Sequence, residues 1–143
     1  MGKLFFTLPT APPAQCSASV SVSETESALW TAAHCLHDGE TNEAGFHSNV
    51  IFAPAYRGGE APWGRWKADQ LIVPTSWADC DIDKNLDGDV GAVVLEPYGE
   101  IETAMGAFGY KFSFDTHYAE VFAFGHPSEG YQRPDSDFRT AST

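Results

Sequence analysis

At 143 residues the chain is the size of one ordinary domain and long enough to bury a core. Hydrophobic residues make up 43% of it, which excludes a disordered chain, and a net charge of -12 repels phosphate backbones and anionic headgroups, so neither nucleic acid nor a membrane is an expected partner. No apolar run approaches the roughly 20 residues that cross a bilayer. Leu4 to Leu8 is shorter than the signal-peptide apolar region of about 7 to 15 residues, so no export signal is read. Phe6 stands where a myristoylation motif wants Ser or Thr.

The order of elements reads as all-β. Strands are predicted over Lys3 to Leu8, Cys16 to Val22, Ala28 to Thr31, Asn49 to Ala53, Trp63 to Val73, Val90 to Leu95 and Tyr118 to Phe124, separated by Gly, Pro, Asn and Asp turns. Nowhere do apolar residues recur at helical spacing for three turns. Ser17-Ala18-Ser19-Val20-Ser21-Val22 alternates hydroxyl and apolar side chains, the period of two of a strand with one buried face. Val90 to Leu95 is unbroken and apolar, which predicts burial on both faces. Gly99, Gly106 and Gly109 mark 99 to 109 as the boundary between a first compact unit and a second. The polar tail from Ser128 to Thr143 is expected to be the least ordered part if nothing follows it.

Three Cys, at positions 16, 35 and 80, allow one disulfide and leave one thiol over. Two residues have the types needed to activate a hydroxyl nucleophile: an imidazole, His34, to take its proton, and a carboxylate, Asp89, to fix the imidazole's tautomer and stabilise its charge. His34 follows the apolar end of a strand. Asp89 closes an acidic loop directly before the strand Val90 to Leu95, at a strand mouth. By residue type alone, a His beside a Cys is more often structural or on the surface, and an Asp before a strand is more often a turn former.

Thr31-Ala32-Ala33-His34-Cys35, Gly88-Asp89-Val90-Gly91-Ala92-Val93-Val94-Leu95 and Cys16-Ser17-Ala18-Ser19-Val20 resemble the histidine, aspartate and cysteine segments of the trypsin-like, chymotrypsin-fold serine proteases and occur along the chain in the order of that family. Gly2-Lys3-Leu4-Phe5-Phe6, Phe52-Ala53-Pro54-Ala55-Tyr56, Pro62-Trp63-Gly64 and Phe124-Gly125-His126-Pro127 further resemble the bacterial branch that includes the glutamyl endopeptidases. The resemblance covers essentially the whole chain. It implies a chymotrypsin-like Greek-key β-barrel over residues 1-107 and the start of a second, incomplete barrel over 108-143. It also implies His34 as general base and then general acid, Asp89 as its orienting carboxylate in preference to Asp87, and a disulfide between Cys16 and Cys35. The implied activity is hydrolysis of peptide bonds in a protein or peptide substrate by a Ser-His-Asp triad, without a cofactor. A disulfide and an acidic surface imply a secreted, extracellular protein.

One part of the pattern is missing. The family's nucleophile lies in a Gly-rich turn that also forms the oxyanion hole, and no Ser up to Thr143 has that setting. Ser128 in Gly125-His126-Pro127-Ser128-Glu129-Gly130 is nearest in appearance, but the family has an early strand and turn of the second barrel there. The expectation is an amino-terminal portion, truncated before its nucleophile and inactive alone, whose completing partner is the missing carboxy-terminal barrel segment. Two other classes compete: a non-catalytic protease-like binding module, and a calcium-stabilised β-barrel binding domain. For the latter, Asp83-Lys84-Asn85-Leu86-Asp87-Gly88 matches the first half of an EF-hand loop, but Val94 stands where the bidentate Glu belongs. Asp79, Asp81, Asp83 and Asp87 remain candidates for a looser calcium site. Zinc at His34, Cys35 and His37 lacks enough convergent ligands. Trp30, Trp63, Trp66 and Trp77 are expected in the core, and Cys80 is a poor nucleophile beside its acidic neighbours.

Overall fold

The computed structural model describes residues 1–9, 11–40, 42–79, 88–97, 100–110, 121–126 and 138–141. Six strands form a closed antiparallel barrel: β1 (Gly2–Thr7), β2 (Ala14–Ser21), β3 (Ala28–Thr31), β4 (Ser48–Pro54), β5 (Trp66–Ile72) and β6 (Gly91–Glu96). Their order around the barrel is β1-β2-β3-β6-β5-β4, and β4 closes it on β1. Closure leaves no exposed sheet edge. Val121–Phe124 (β7) and Phe138–Ala141 (β8) form a separate two-stranded sheet.

The all-β expectation holds, and the ends of the seven predicted strands agree with the observed ones to within three residues, with Tyr118 to Glu120 outside the described residues. The alternation read in residues 17 to 22 holds at Ala18 and Val20, which are buried with Ser19 half-buried between them, but fails where β2 ends: Ser21 is buried and Val22, beyond the strand, is exposed. Inward side chains from all sides meet in one core: Leu4 from β1, Val20 from β2, Leu29 from β3, Phe52 from β4, and Val93 and Leu95 from β6. Each is worth about 1.5–3 kcal/mol of transfer free energy. Leu71 of β5 packs against them.

The prediction for Val90 to Leu95 is corrected. Gly91, Val93 and Leu95 are buried, Ala92 and Val94 are half-buried, and Val90 lies outside the strand and is exposed. A strand in a single-layered barrel has one inner face, so an apolar run does not make its outer face a core. Two short helices, α1 (Thr75–Ala78) and α2 (Ile101–Met105), fall where sequence periodicity showed none. At four and five residues neither is long enough to display a repeat. α2 lies in the segment read as a boundary, and its Ile101 is fully buried in the barrel core. Beyond it, Phe108 exchanges backbone hydrogen bonds with β2, donating to Val20 O and accepting from Val22 N. The tail read as polar and turn-rich contains β8, whose four residues pair with β7. Of the four Trp, Trp77 is buried and Trp66 packs against the core, but Trp30 and Trp63 are exposed.

Candidate active site

β3 ends at Thr31, and the chain turns through a short 3-10 turn over Ala33–Cys35. Ala33 and Cys35 are buried and His34 between them is exposed, so the turn holds one imidazole outward on a packed base. The base is fixed from two sides. Cys35 forms a disulfide with Cys16 of β2, and Thr31 Oγ1 donates to Ser17 O at 2.9 Å. From β6 comes Gly91, where a side chain would press on Leu36 Cδ1 at 2.8 Å and Ala33 Cα at 3.3 Å. A larger residue would have to displace the Leu36 side chain and the neighbouring backbone.

Asp89 arrives from the other side, two residues before β6. Its carboxylate makes two bonds to one residue: Oδ1 accepts the His34 backbone N–H at 2.9 Å, and Oδ2 lies 2.7 Å from His34 Nδ1. Because a carboxylate only accepts, this pairing puts the proton of a neutral imidazole on Nδ1 and leaves Nε2 as a proton acceptor. The His34 side chain is 56% exposed and that of Asp89 only 22%, so the acid is sheltered and the base open to a reactant. This is a geometry for taking a proton from a hydroxyl and returning it to a leaving group.

The other sequence candidates fall elsewhere. Asp79 is the exposed residue that ends α1. Asp81, Asp83 and Asp87 lie outside the described residues, as do Cys80 and Ser128. Ligand atoms of Cys16, His34 and Cys35 lie within 4.8 Å of one another, but both sulfurs are joined in the disulfide and neither is a thiolate. His37 is buried, and its Nδ1 accepts from Gly39 N at 2.8 Å, so it does not converge with His34 and Cys35 on a metal.

Sequence reasoning missed one contact at the site. The Ser17 hydroxyl, beside the disulfide, accepts from His126 N at 2.6 Å and donates to His126 O at 3.2 Å. It ties the segment after β7 to the barrel. A sequence separation of 109 between the two partners hides this from any local pattern.

No protein-family model matches the chain, and no curated protein does. Solved structures do. The protease Anisep from Arthrobacter nicotinovorans superposes with a TM-score of 0.79 at 29% identity, over 99% of this chain and 62% of its own. The thermostable serine protease AL20 from an extremophilic microorganism superposes with a TM-score of 0.78 at 31% identity, over 98% of this chain and 62% of its own. The chain therefore spans less than two thirds of either. With its closed barrel and these two likenesses, the chain has the trypsin-like fold of the bacterial serine proteases and matches the amino-terminal part of it.

Proposed function

We propose that the chain contributes the base and the orienting acid of a serine endopeptidase. The observation that carries this reading is the pair of hydrogen bonds between Asp89 and His34, with the imidazole's other edge open. In the reaction His34 Nε2 takes the proton of a serine hydroxyl as its oxygen attacks the peptide carbonyl, and Asp89 holds the resulting imidazolium. His34 then protonates the departing amine, and water repeats the cycle on the acyl-enzyme. Residues 1-107 form the first barrel and 108-143 begin the second. The nucleophile and its oxyanion-hole donors belong to sequence beyond this span, in keeping with the 62% coverage of both protease structures. The substrate is a protein or peptide. The disulfide favours an oxidising, extracellular setting, and among the described residues no helix is long and apolar enough to cross a membrane.

The test is to express the coding sequence continued past Thr143 and to treat it with a fluorophosphonate probe and a protein substrate. Labelling and hydrolysis that are lost in His34→Ala, with no label on residues 1-143 alone, are expected. If no Gly-x-Ser-Gly follows within about a hundred codons, the reading fails. Label on residues 1-143 would mean that the nucleophile has been misplaced.

A further inference from the structure

His47 has no part in the proposed chemistry, yet its surroundings are unusual. The ring is 4% exposed, and neither Nδ1 nor Nε2 has a hydrogen-bond partner among the described residues. It stacks in parallel on Phe6 of β1, with ring centroids 4.8 Å apart and planes 5° from parallel. A neutral imidazole has one donor and one acceptor to satisfy, and both are orphaned in an apolar contact.

The backbone around it leads directly to His34. His47 N donates to Leu36 O at 2.8 Å, Asp38 N donates to Gly45 O at 3.0 Å, and His37 bridges Phe46. These bonds form a short ladder that fastens the end of the His34 turn to the start of β4. We propose that His47 is an acid-sensing element: proton uptake by this buried imidazole opens the 36–47 ladder and frees the turn that carries His34.

Competing forces on the proton can be ranked. A positive ring would gain from the face of Phe6, and from Asp38 on the 33–38 segment. Against it stand His37 and His34 when charged, and the cost of burying an ion whose two N–H groups have no acceptor. The Cys35 backbone beside the ring also favours the charged form, more than Asp38 does, although no bond of acceptable geometry reaches either nitrogen. Burial dominates and holds His47 below the ordinary histidine value of 6.5. The folded state then binds the proton less well than the opened state. The ladder is intact above about pH 6.5 and loses stability as pH falls towards the folded value, one proton at a time.

The inference does not depend on the hydrolytic reading, and its test needs no serine. Amide exchange at His47 and Asp38 is followed by NMR in residues 1-143 while pH is lowered from 6.5, with the intrinsic pH dependence of exchange divided out. Opening should rise by up to about tenfold per pH unit, the limit for one coupled proton. In His47→Phe, which keeps a ring against Phe6 but cannot ionise, the rise should be less than twofold. An equal rise in the variant would assign the effect to another group and overturn the proposal. If His47→Phe does not fold, the wild-type profile and the His47 Cε1–H titration decide alone. A flat profile, or a His47 midpoint at or above 6.5, overturns it.

Discussion

Asp89 presents two oxygens to His34, and their division of labour gives a sharp test. In Asp89→Asn the amide oxygen can keep the bond to the His34 backbone N–H, which leaves the NH₂ group facing Nδ1. Nδ1 must then accept, so the proton moves to Nε2 and the edge that would receive a serine proton is blocked. Imidazole ¹⁵N shifts in residues 1-143 should report the Nε2–H tautomer in the variant and Nδ1–H in the wild type. In the extended protein kcat should fall by roughly 10⁴, the scale found for an orienting carboxylate in this protease superfamily. An unchanged tautomer would show that Asp89 does not orient the ring. This pair was legible in the sequence because two local motifs mark its members, although 55 residues separate them. His47 was not legible, since an isolated His before a strand has no pattern and its isolation is created by Phe6, 41 positions earlier, and by burial.

Elements meet at the base of the His34 turn, where β2, β3 and β6 converge. The disulfide from β2 closes a loop of sequence separation 19, which the chain-entropy view values at about 3 kcal/mol. Replacing both Cys16 and Cys35 by Ala should lower the unfolding free energy by that order in denaturant titration. A loss under about 1 kcal/mol would mean that barrel closure alone restrains the turn. Gly91 tests the same junction from β6. In Gly91→Ala the new methyl would press on Leu36 and on the backbone of Ala33, a crowding that costs typically about 1–3 kcal/mol. Thermal unfolding should show the loss, and the His34 resonances should shift with it. A neutral substitution would mean that β6 can retreat without cost. Strands were legible here because a period of two survives in short segments, whereas β6 was misjudged on its outer face. Composition tells how apolar a strand is, and the number of layers around it decides how much of it is covered. The helix α2 escaped notice because five residues carry no period, and its one buried anchor, Ile101, looks like any isolated Ile in the sequence.

At the scale of the whole molecule, the barrel and the β7–β8 sheet are distinct sheets, and the Ser17 hydroxyl joins the barrel to the segment that follows β7. It binds both the N–H and the C=O of His126, leaving the preceding Gly125 little room, since a side chain there would lie 3.3 Å from Ser17 Oγ. The link sits one residue from Cys16, so the disulfide that steadies His34 also anchors the strand through which the docking is made. Local stability varies across a fold, and a contact made outside the barrel core should open before the core does. Ser17→Ala removes a net contribution of roughly 0.5–1.5 kcal/mol for each bond lost. Hydrogen exchange at the His126 amide should therefore accelerate by about tenfold, while amides of Leu29 and Val93 in the core keep their protection. Equal acceleration at all three would make Ser17 a determinant of global stability, and no change at His126 would show that other contacts hold the second sheet to the barrel.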